Sequence, residues 1–263
     1  MNEADNLRFA FTYIRMSAND KPFLPGIVLR PFRYNYYIGR DISFVFNHKN
    51  ILKRSDSEIN PSKGRKITLE YHREYNKFLQ GFSFGEQLPA EIFRNYNYNR
   101  FRLKWREYFS IPAGVLSYEL NSGYIDRPVD DFFYLFAGGL PGLKGYSYYS
   151  IGGTKLMINT FTYRFPILRK VNISIGPWYL DKLFGSISYQ YGNSWTEDKV
   201  DFSRFKRVLD LELRMDAFSF YAYPTKITIN AAYGFDKITG ENFVEGKKWR
   251  FFILSLIHIS EPT

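Results

Sequence analysis

A glycine-rich stretch around one lysine is the first part of the chain whose residue types suggest a specific chemistry. Residues 135–153 read LFAGGLPGLKGYSYYSIGG, and Lys144 is their only charged side chain. A glycine-rich run that follows a strand and opens a helix can cradle phosphate with its backbone N–H groups. No helix is predicted here, because the following TKLMINTFTYRFPI is rich in β-branched and aromatic residues and predicts a strand. The glycines therefore need an explanation other than a phosphate cradle.

Other patterns of catalytic or metal-binding residues are weak. The three histidines, His48, His72 and His258, lie far apart and lack the spacing of a metal site. The sequence contains no Gly-x-Ser-x-Gly nucleophile motif. The adjacent acids Asp130 and Asp131 are more typical of a solvated loop than of a cation site. We therefore predict that the chain is not an enzyme and that it uses no cofactor or metal.

A row of basic residues in the segment YNRFRLKWREYF is the second feature with a chemical consequence. In a strand, alternate residues share a face. The cations on one face are Arg100, Arg102, Lys104 and Arg106. The apolar residues on the other face are Phe101, Leu103 and Trp105. Such a row suits the wet lumen of a membrane barrel or the solvated face of a soluble sheet, and Tyr98 and Tyr108 near its ends suit an aromatic girdle at a bilayer edge.

Strict alternation of apolar and polar residues is the main periodic pattern in the rest of the chain. In LDLELRMD (residues 209–216), for example, every second residue is apolar and the others are charged, which predicts a strand with one apolar and one polar face. About ten strands are predicted in this way, and no helix of convincing period appears. They lie near residues 6–15, 38–47, 65–75, 98–109, 113–124, 154–165, 183–191, 206–216, 225–236 and 247–256. The predicted fold class is all-β and antiparallel.

The connections between these strands alternate in length from the fourth strand onward. Short turns on one side with long loops on the other are typical of an outer-membrane barrel. A soluble sandwich has the same alternating periodicity, with its apolar face turned into a core instead of toward lipid. Periodicity alone therefore leaves both architectures open.

The amino-acid composition excludes some classes of protein but does not decide between a membrane barrel and a soluble sheet. The chain has 263 residues, is 20% aromatic and has no cysteine, while its mean hydropathy is −0.34. No apolar run approaches the roughly 20 residues that a membrane helix needs, and the lack of cysteine excludes disulfides and thiolate metal sites. The net charge of +10 suits a nucleic-acid surface, an anionic membrane surface or a polar channel wall.

The glycine-rich stretch and three later segments together carry a family resemblance. FAGGLPGLKGY followed by IGGTKLMINTFTYRFPI resembles the sixth extracellular loop and next strand of BamA-type outer-membrane barrels, the bacterial surface antigen superfamily. SISYQYGNSW and LELRMDAFSFYAYPTKITINAAYGFD resemble later strands of the same family. The resemblance covers residues 60–255 and is strongest after residue 98.

In that family the loop folds back into the barrel, and the cation at its tip pairs with an acidic group on the inner wall. The matching loop residues here are Gly138, Gly139, Leu143, Lys144, Gly145 and Tyr146. Lys144 stands where the family has arginine, and Gln190 stands where it has aspartate. The resemblance implies that the partners of the loop on the barrel wall are among Gln190, Asp210, Glu212 and Asp216.

The two ends of the chain differ from a whole member of this family. The start, MNEADNLRFAFTYIR, lacks a basic region followed by an apolar one, and ten strands fall short of the family's sixteen. We therefore expect residues 1–254 to be the C-terminal part of a sixteen-stranded transmembrane β-barrel with N-terminal strands missing. Because ten of sixteen strands cannot close, we expect this chain by itself to form an open, curved sheet. Residues 255–263 lack the family's aromatic terminus and are expected to be a non-native tail.

The resemblance implies a role in insertion, assembly or translocation of proteins at the bacterial outer membrane. Expected partners are outer-membrane lipid, client outer-membrane or secreted proteins, and periplasmic domains or accessory subunits; nucleic acid is not expected. One alternative is a barrel that anchors or exports an attached periplasmic or enzymatic domain. Another is a soluble β protein that binds nucleic acid or an acidic glycan through the basic row, and solubility without detergent would distinguish it from both barrels.

Overall fold

Ten long β-strands dominate the protein in the computed structural model, which describes residues 2–20, 23–24, 27–28, 32–52, 61–80, 92–220, 223–240 and 243–257. The strands are β1 (Asn2–Asp20), β2 (Phe32–Ile51), β3 (Gly64–Leu79), β4 (Phe93–Ile111), β5 (Gly114–Ile125), β6 (Lys155–Leu168), β7 (Trp178–Trp195), β8 (Lys206–Ser219), β9 (Tyr223–Gly234) and β10 (Trp249–Ile257). Each of the ten predicted segments overlaps one of these strands, so the all-β prediction is confirmed.

The ten strands form one antiparallel sheet in which each strand pairs with the next along the chain. This meander follows directly from the sequence, since consecutive antiparallel strands need only a turn to join them. Within the described residues, no hydrogen-bonded ladder joins β1 to β10. The sheet is therefore open and is not closed into a barrel.

The connections contain short strand pairs and single turns of 3-10 helix. The short pairs are Phe23–Leu24 with Ile27–Val28, Leu135–Phe136 with Gly152–Gly153, and Ile238–Thr239 with Val244–Glu245, while Ile173–Ile175 pairs with β7. The 3-10 turns are Asp131–Phe133, Tyr148–Ser150 and Phe202–Arg204. The longest described connection is residues 126–154, between β5 and β6, which we call the central loop.

One face of the sheet, which we call the outer face, exposes large apolar side chains on every strand. One such side chain from each strand, in order, is Leu7, Phe44, Leu69, Phe101, Leu116, Phe161, Ile187, Leu211, Ile229 and Ile253. A row of aromatic rings crosses five strands on this face, with ring centroids 4.9 to 6.5 Å apart between neighbours. Its members are Phe9, Phe44, Tyr71, Phe101 and Tyr124. These cross-strand contacts stabilise the pairing of β1 to β5.

The buried core lies on the opposite, inner face, between the sheet and the central loop. The loop contributes Leu135, Ala137, Leu143 and Tyr146, none of which has any exposed surface. They pack with buried residues of the sheet that include Ile158, Val208 and Ala232. The long loop thus provides one side of the core, in place of the second sheet that a sandwich would have.

The prediction that Tyr98 and Tyr108 form part of an aromatic girdle on the apolar face is wrong. Both rings are buried, with exposed fractions of 1% and 8%. The reason is the two-residue period of the strand: even-numbered positions of β4 share the inner face with Arg100, and only odd-numbered positions such as Phe101 reach the outer face. These tyrosines therefore belong to the interior.

The expected tail falls partly outside the described residues. Residues 255–257 continue strand β10 and pair with β9, whereas residues 258–263, including His258, lie outside the described part. Within the part of the chain that the structure describes, no helix has the length and apolar character needed to cross a membrane.

Candidate functional site: the docked central loop

Glycines allow the tip of the central loop to fold tightly against the sheet. Gly139 adopts a φ of +81°, a conformation that side chains with a Cβ disfavour. A Cβ on Gly145 would lie 2.7 Å from the backbone nitrogen of Gly234 in β9. Backbone hydrogen bonds from Gly139 N–H to Tyr146 C=O (2.9 Å) and from Leu143 N–H to Ala137 C=O (2.7 Å) close the tip on itself. This packing is the structural reason for the glycine-rich sequence.

Lys144 at the tip is held by two residues of the inner face. Its Nζ lies 2.6 Å from Oδ2 of Asp210 in β8. Its backbone N–H donates to Oε1 of Gln190 in β7 at 3.0 Å, and Gln190 Nε2 donates to the carbonyl of Gly142 at 2.9 Å. Gln190 therefore fixes the backbone on both sides of Leu143, while Asp210 neutralises the lysine.

The three acidic residues proposed as partners have different roles. Asp210 is 1% exposed and also accepts a hydrogen bond from Nδ2 of Asn230 (3.2 Å). Glu212 accepts from the same amide group at 3.3 Å, and Asp216 lies 3.3 Å from Nε of Arg214. Only Asp210 forms the ion pair with the loop lysine, because the tip enters the inner face at the level of that residue.

Tyr146, two residues after the lysine, fastens the loop to the end of β9. Its hydroxyl donates to the carbonyl of Asp236 at 2.8 Å and accepts from the N–H of Asp236 at 3.1 Å. Burial raises the pKa of the Tyr146 phenol to about 12, so it remains a neutral donor at physiological pH. The next residue, Ser147, donates to Oε1 of Glu245 at 3.1 Å.

The beginning of the central loop packs on the other half of the sheet. The ring of Phe133 lies 5.3 to 5.9 Å from four aromatic rings. These rings belong to Tyr37, Phe78, Tyr96 and Tyr98, on strands β2, β3 and β4. The Asp130 carboxylate accepts a hydrogen bond from the Phe132 N–H at 3.1 Å and caps the short 3-10 turn. The loop therefore spans the inner face from β2–β4 to β7–β9.

A buried polar network lies beneath this aromatic cluster. Glu74 accepts hydrogen bonds from the hydroxyl of Tyr98 (2.6 Å) and from Nδ2 of Asn76 (2.9 Å), and its other oxygen lies 2.8 Å from Nη2 of Arg100. The hydroxyl of Tyr37 donates to Asn76 at 3.0 Å. Sequence reasoning missed this network, because the register that places these residues side by side on three strands is not visible in local periodicity.

The basic row lies on the inner face, opposite the exposed Phe101. Its members are Arg100, Arg102, Lys104 and Arg106. Arg100 pairs with Glu74, and Arg106 pairs with Glu119 of β5. Arg102 is half-buried and Lys104 is exposed. The row is thus partly neutralised by carboxylates of neighbouring strands.

One group of residues on the inner face has the composition of a metal site. A ligand atom from each of Asp41, His72 and Glu74 lies within 4.8 Å of the others. The spacing of the histidines in the sequence did not predict this group. It contains only one histidine, and its two carboxylates come from β2 and from the same face of β3 as His72. Nδ1 of His72 already contacts Oδ2 of Asp41 at 2.9 Å, and Arg100 binds Glu74. Each of the three residues therefore already contacts a protein partner, while the buried Oδ1 of Asp41 accepts no hydrogen bond from the described residues.

A cavity of about 370 Å³ lies below the loop tip, on the inner face. Leu140, Pro141 and Gly142 of the loop line one side of it, and side chains of β3 to β9 line the rest. Nothing in the sequence alone indicated it, since its residues come from seven strands.

No protein-family model, curated protein or solved structure matches the chain.

Proposed function

We propose that the chain is part of a transmembrane β-barrel of the bacterial outer membrane that acts in insertion, assembly or translocation of proteins. The observation that carries the membrane assignment is the outer face, where every strand exposes a large apolar side chain. Exposed fractions reach 55% at Phe161 and 76% at Ile253. Soluble monomers rarely expose an apolar surface of this extent, and lipid is the environment that would cover it.

The inner face supports the same proposal. It carries the basic row, the ion pair of Lys144 with Asp210, and a loop that covers part of the sheet. Polar interiors with an inserted loop are typical of outer-membrane barrels. Because an open sheet edge is not tolerated in lipid, further strands or a partner must complete the barrel.

The role in protein insertion rests on the resemblance of the loop and the later strands to the surface antigen superfamily. The placement of Lys144 against the inner wall supports it, because the family's loop is expected to make such a contact. The fold by itself supports no particular task, since one architecture serves many functions.

Cysteine labelling tests the membrane assignment, and the chain has no native cysteine to interfere. Single cysteines are placed on both faces of β4 in the protein reconstituted in vesicles, and a membrane-impermeant thiol reagent is added. We expect labelling at inner positions and protection at outer ones. The inner positions are Arg100, Arg102, Lys104 and Arg106, and the outer positions are Phe101, Leu103 and Trp105. The reverse pattern, or a protein that stays soluble without detergent, would refute the assignment.

A folding assay tests the insertion role separately. Vesicles with and without the protein receive a urea-unfolded outer-membrane barrel, and its folding is followed by the shift in gel mobility of unheated samples. We expect faster folding in the presence of the protein and a loss of this effect in Lys144→Ala. If labelling confirms the membrane assignment and the rate does not change, the insertion role is wrong and a barrel that anchors another domain is favoured.

A further inference from the structure

The cavity below the loop tip has an excess of positive charge. Its volume of about 370 Å³ lies in the range of small-molecule sites. The cationic side chains that line it are Lys66, Arg106, Lys144, Arg164, Arg214 and Lys226. The carboxylates that line it are Glu119 and Glu212. A cavity lined by cations from five strands and the loop needs a physical explanation.

Ion pairs account for only some of these cations. Arg106 pairs with Glu119, Lys144 with Asp210, and Arg214 with Asp216. Lys66, Arg164 and Lys226 remain, and they come from β3, β6 and β9. Within the described part of the chain, neither Lys66 nor Lys226 forms an ion pair.

The third remaining cation is held in place by the protein but is not neutralised. Nη2 of Arg164 donates to the carbonyl of Pro61 at 2.6 Å, and its guanidinium lies 6.0 Å from the ring centroid of Phe184. Like charges in a half-buried space repel one another, and each has lost part of its hydration. A bound anion would relieve both effects.

Hydroxyl groups between the cations add neutral hydrogen-bond donors. The cavity is also lined by Ser117, Thr160, Thr162, Ser186 and Ser188. The hydroxyls of Thr162 and Ser188 form a hydrogen bond of 2.9 Å, and the one that accepts in this bond can donate its own proton to a ligand. Lysine and arginine surrounded by hydroxyls are the donor set that binds phosphoryl oxygens.

We propose that this cavity binds a phosphate group, either as the free ion or on a small soluble monoester. A phosphate carries up to two negative charges and three or more acceptor oxygens, so it suits the excess of cations over carboxylates in this cavity better than a carboxylate does. Arg164 and Lys226 bind it directly. The loop glycines have no part in this binding, and the proposal does not depend on the membrane assignment.

Calorimetric titration of the protein in detergent micelles tests the proposal, with inorganic phosphate and glycerol phosphate as separate probes. Sodium chloride keeps the ionic strength constant. We expect saturable binding at one site, weakened about tenfold by Lys226→Gln or Arg164→Gln, which is typical for the loss of one charged hydrogen bond. Lys226→Arg keeps the charge and should retain most of the affinity. Tighter binding of glycerol phosphate would identify a phosphate monoester as the ligand. Equal affinities for the two probes would identify the free phosphate ion.

Measuring the stability of each variant distinguishes a loss of phosphate binding from misfolding. Because the cations repel one another in the empty cavity, Lys226→Gln should unfold at higher urea concentration than the native chain in phosphate-free buffer, although it binds phosphate more weakly. The matched control is Lys199→Gln, which removes the same charge from an exposed position in the β7–β8 connection. No saturable binding at millimolar phosphate, or an equal loss of affinity in the control, would overturn the proposal.

Discussion

Tyr146 and Asp236 exchange two hydrogen bonds, although 90 residues separate them in the chain. The buried phenol of Tyr146 donates to the carbonyl of Asp236 and accepts from its N–H. The carboxylate of Asp236 lies 2.7 Å from Nη2 of Arg207. A side chain at the loop tip thus satisfies the backbone groups of the second residue after β9, and the end of that strand depends on the loop.

The substitution Tyr146→Phe should destabilise the protein by about 1–3 kcal/mol, because two partly buried backbone groups of Asp236 lose their partner. The measurement is the midpoint of urea unfolding of the protein in detergent. Tyr149→Phe is the control, since Tyr149 is 75% exposed and should change the midpoint little. Equal midpoints for the two variants would mean that the Tyr146 hydroxyl contributes nothing.

The ion pair of Lys144 and Asp210 should matter more than an exposed pair. Lys144→Ala leaves a carboxylate with 1% exposure uncompensated, and we expect a loss of about 2–4 kcal/mol. Lys155→Ala is the control, because its partner Asp198 is fully exposed and such pairs contribute about 0–1 kcal/mol. Urea unfolding of both variants in parallel provides the comparison.

A double-mutant cycle separates the pair from the rest of the loop. Lys144→Met combined with Asp210→Asn should cost less than the sum of the single changes by about 1 kcal/mol or more, since contacting charges are coupled. Additive effects would show that the two residues act independently.

The close contact of Gly145 with Gly234 predicts that even a methyl group is excluded there. Gly145→Ala places a Cβ 2.7 Å from a backbone nitrogen, and we expect a loss of about 1–3 kcal/mol from overpacking. Gly176→Ala is an informative comparison: Gly176 has a φ of +56° but nothing within 4 Å of a Cβ, so it reports the conformational cost alone. Limited proteolysis of the central loop should be faster in Gly145→Ala only.

Acid should weaken the contact between Glu245 and the loop. Burial by itself raises the pKa of Glu245, but hydrogen bonds from Arg250 and Ser147 lower it below its ordinary value of 4.5. The charged carboxylate of Glu245 therefore stabilises the folded protein. This contribution is complete above the ordinary pKa and is lost as the pH falls through the lower pKa of the folded state. We expect Glu245→Gln to be less stable than the native chain at neutral pH, with the difference disappearing in acid.

Urea unfolding of both proteins from about pH 7 to about pH 3 measures this dependence. Asp198→Asn, which alters a fully exposed carboxylate, is measured in parallel as the control. A difference that stays constant throughout would show that the charge of Glu245 is not involved.

The strands were predictable from the sequence because a two-residue period is a direct property of extended backbone. Residues 209–216 show it without exception, and they lie within β8. The same rule would have placed Tyr98 and Tyr108 on the inner face beside Arg100. The prediction of an aromatic girdle was wrong because it relied on the tyrosine side chains and not on their even-numbered positions in the strand.

The partner of Lys144 was not predictable to a single residue. Asp210, Glu212 and Asp216 share one face of β8, and the alternation of residues does not distinguish among them. The choice depends on how deeply the loop enters, which the contact of Gly145 with Gly234 determines. The network around Glu74 depends in the same way on the register of β3 against β4, and register is a property of the assembled sheet.

The path of the central loop has a consequence for the order of folding. The loop joins two adjacent strands, β5 and β6, yet its beginning contacts β2–β4 and its tip contacts β7–β9. Its tip cannot dock until β8 and β9, which follow it in the chain, have paired. Contacts that close such long segments form late, because their entropic cost precedes any gain. Docking of the loop therefore follows the pairing of β8 with β9, and the rate at which Tyr146 becomes buried reports this late step of assembly.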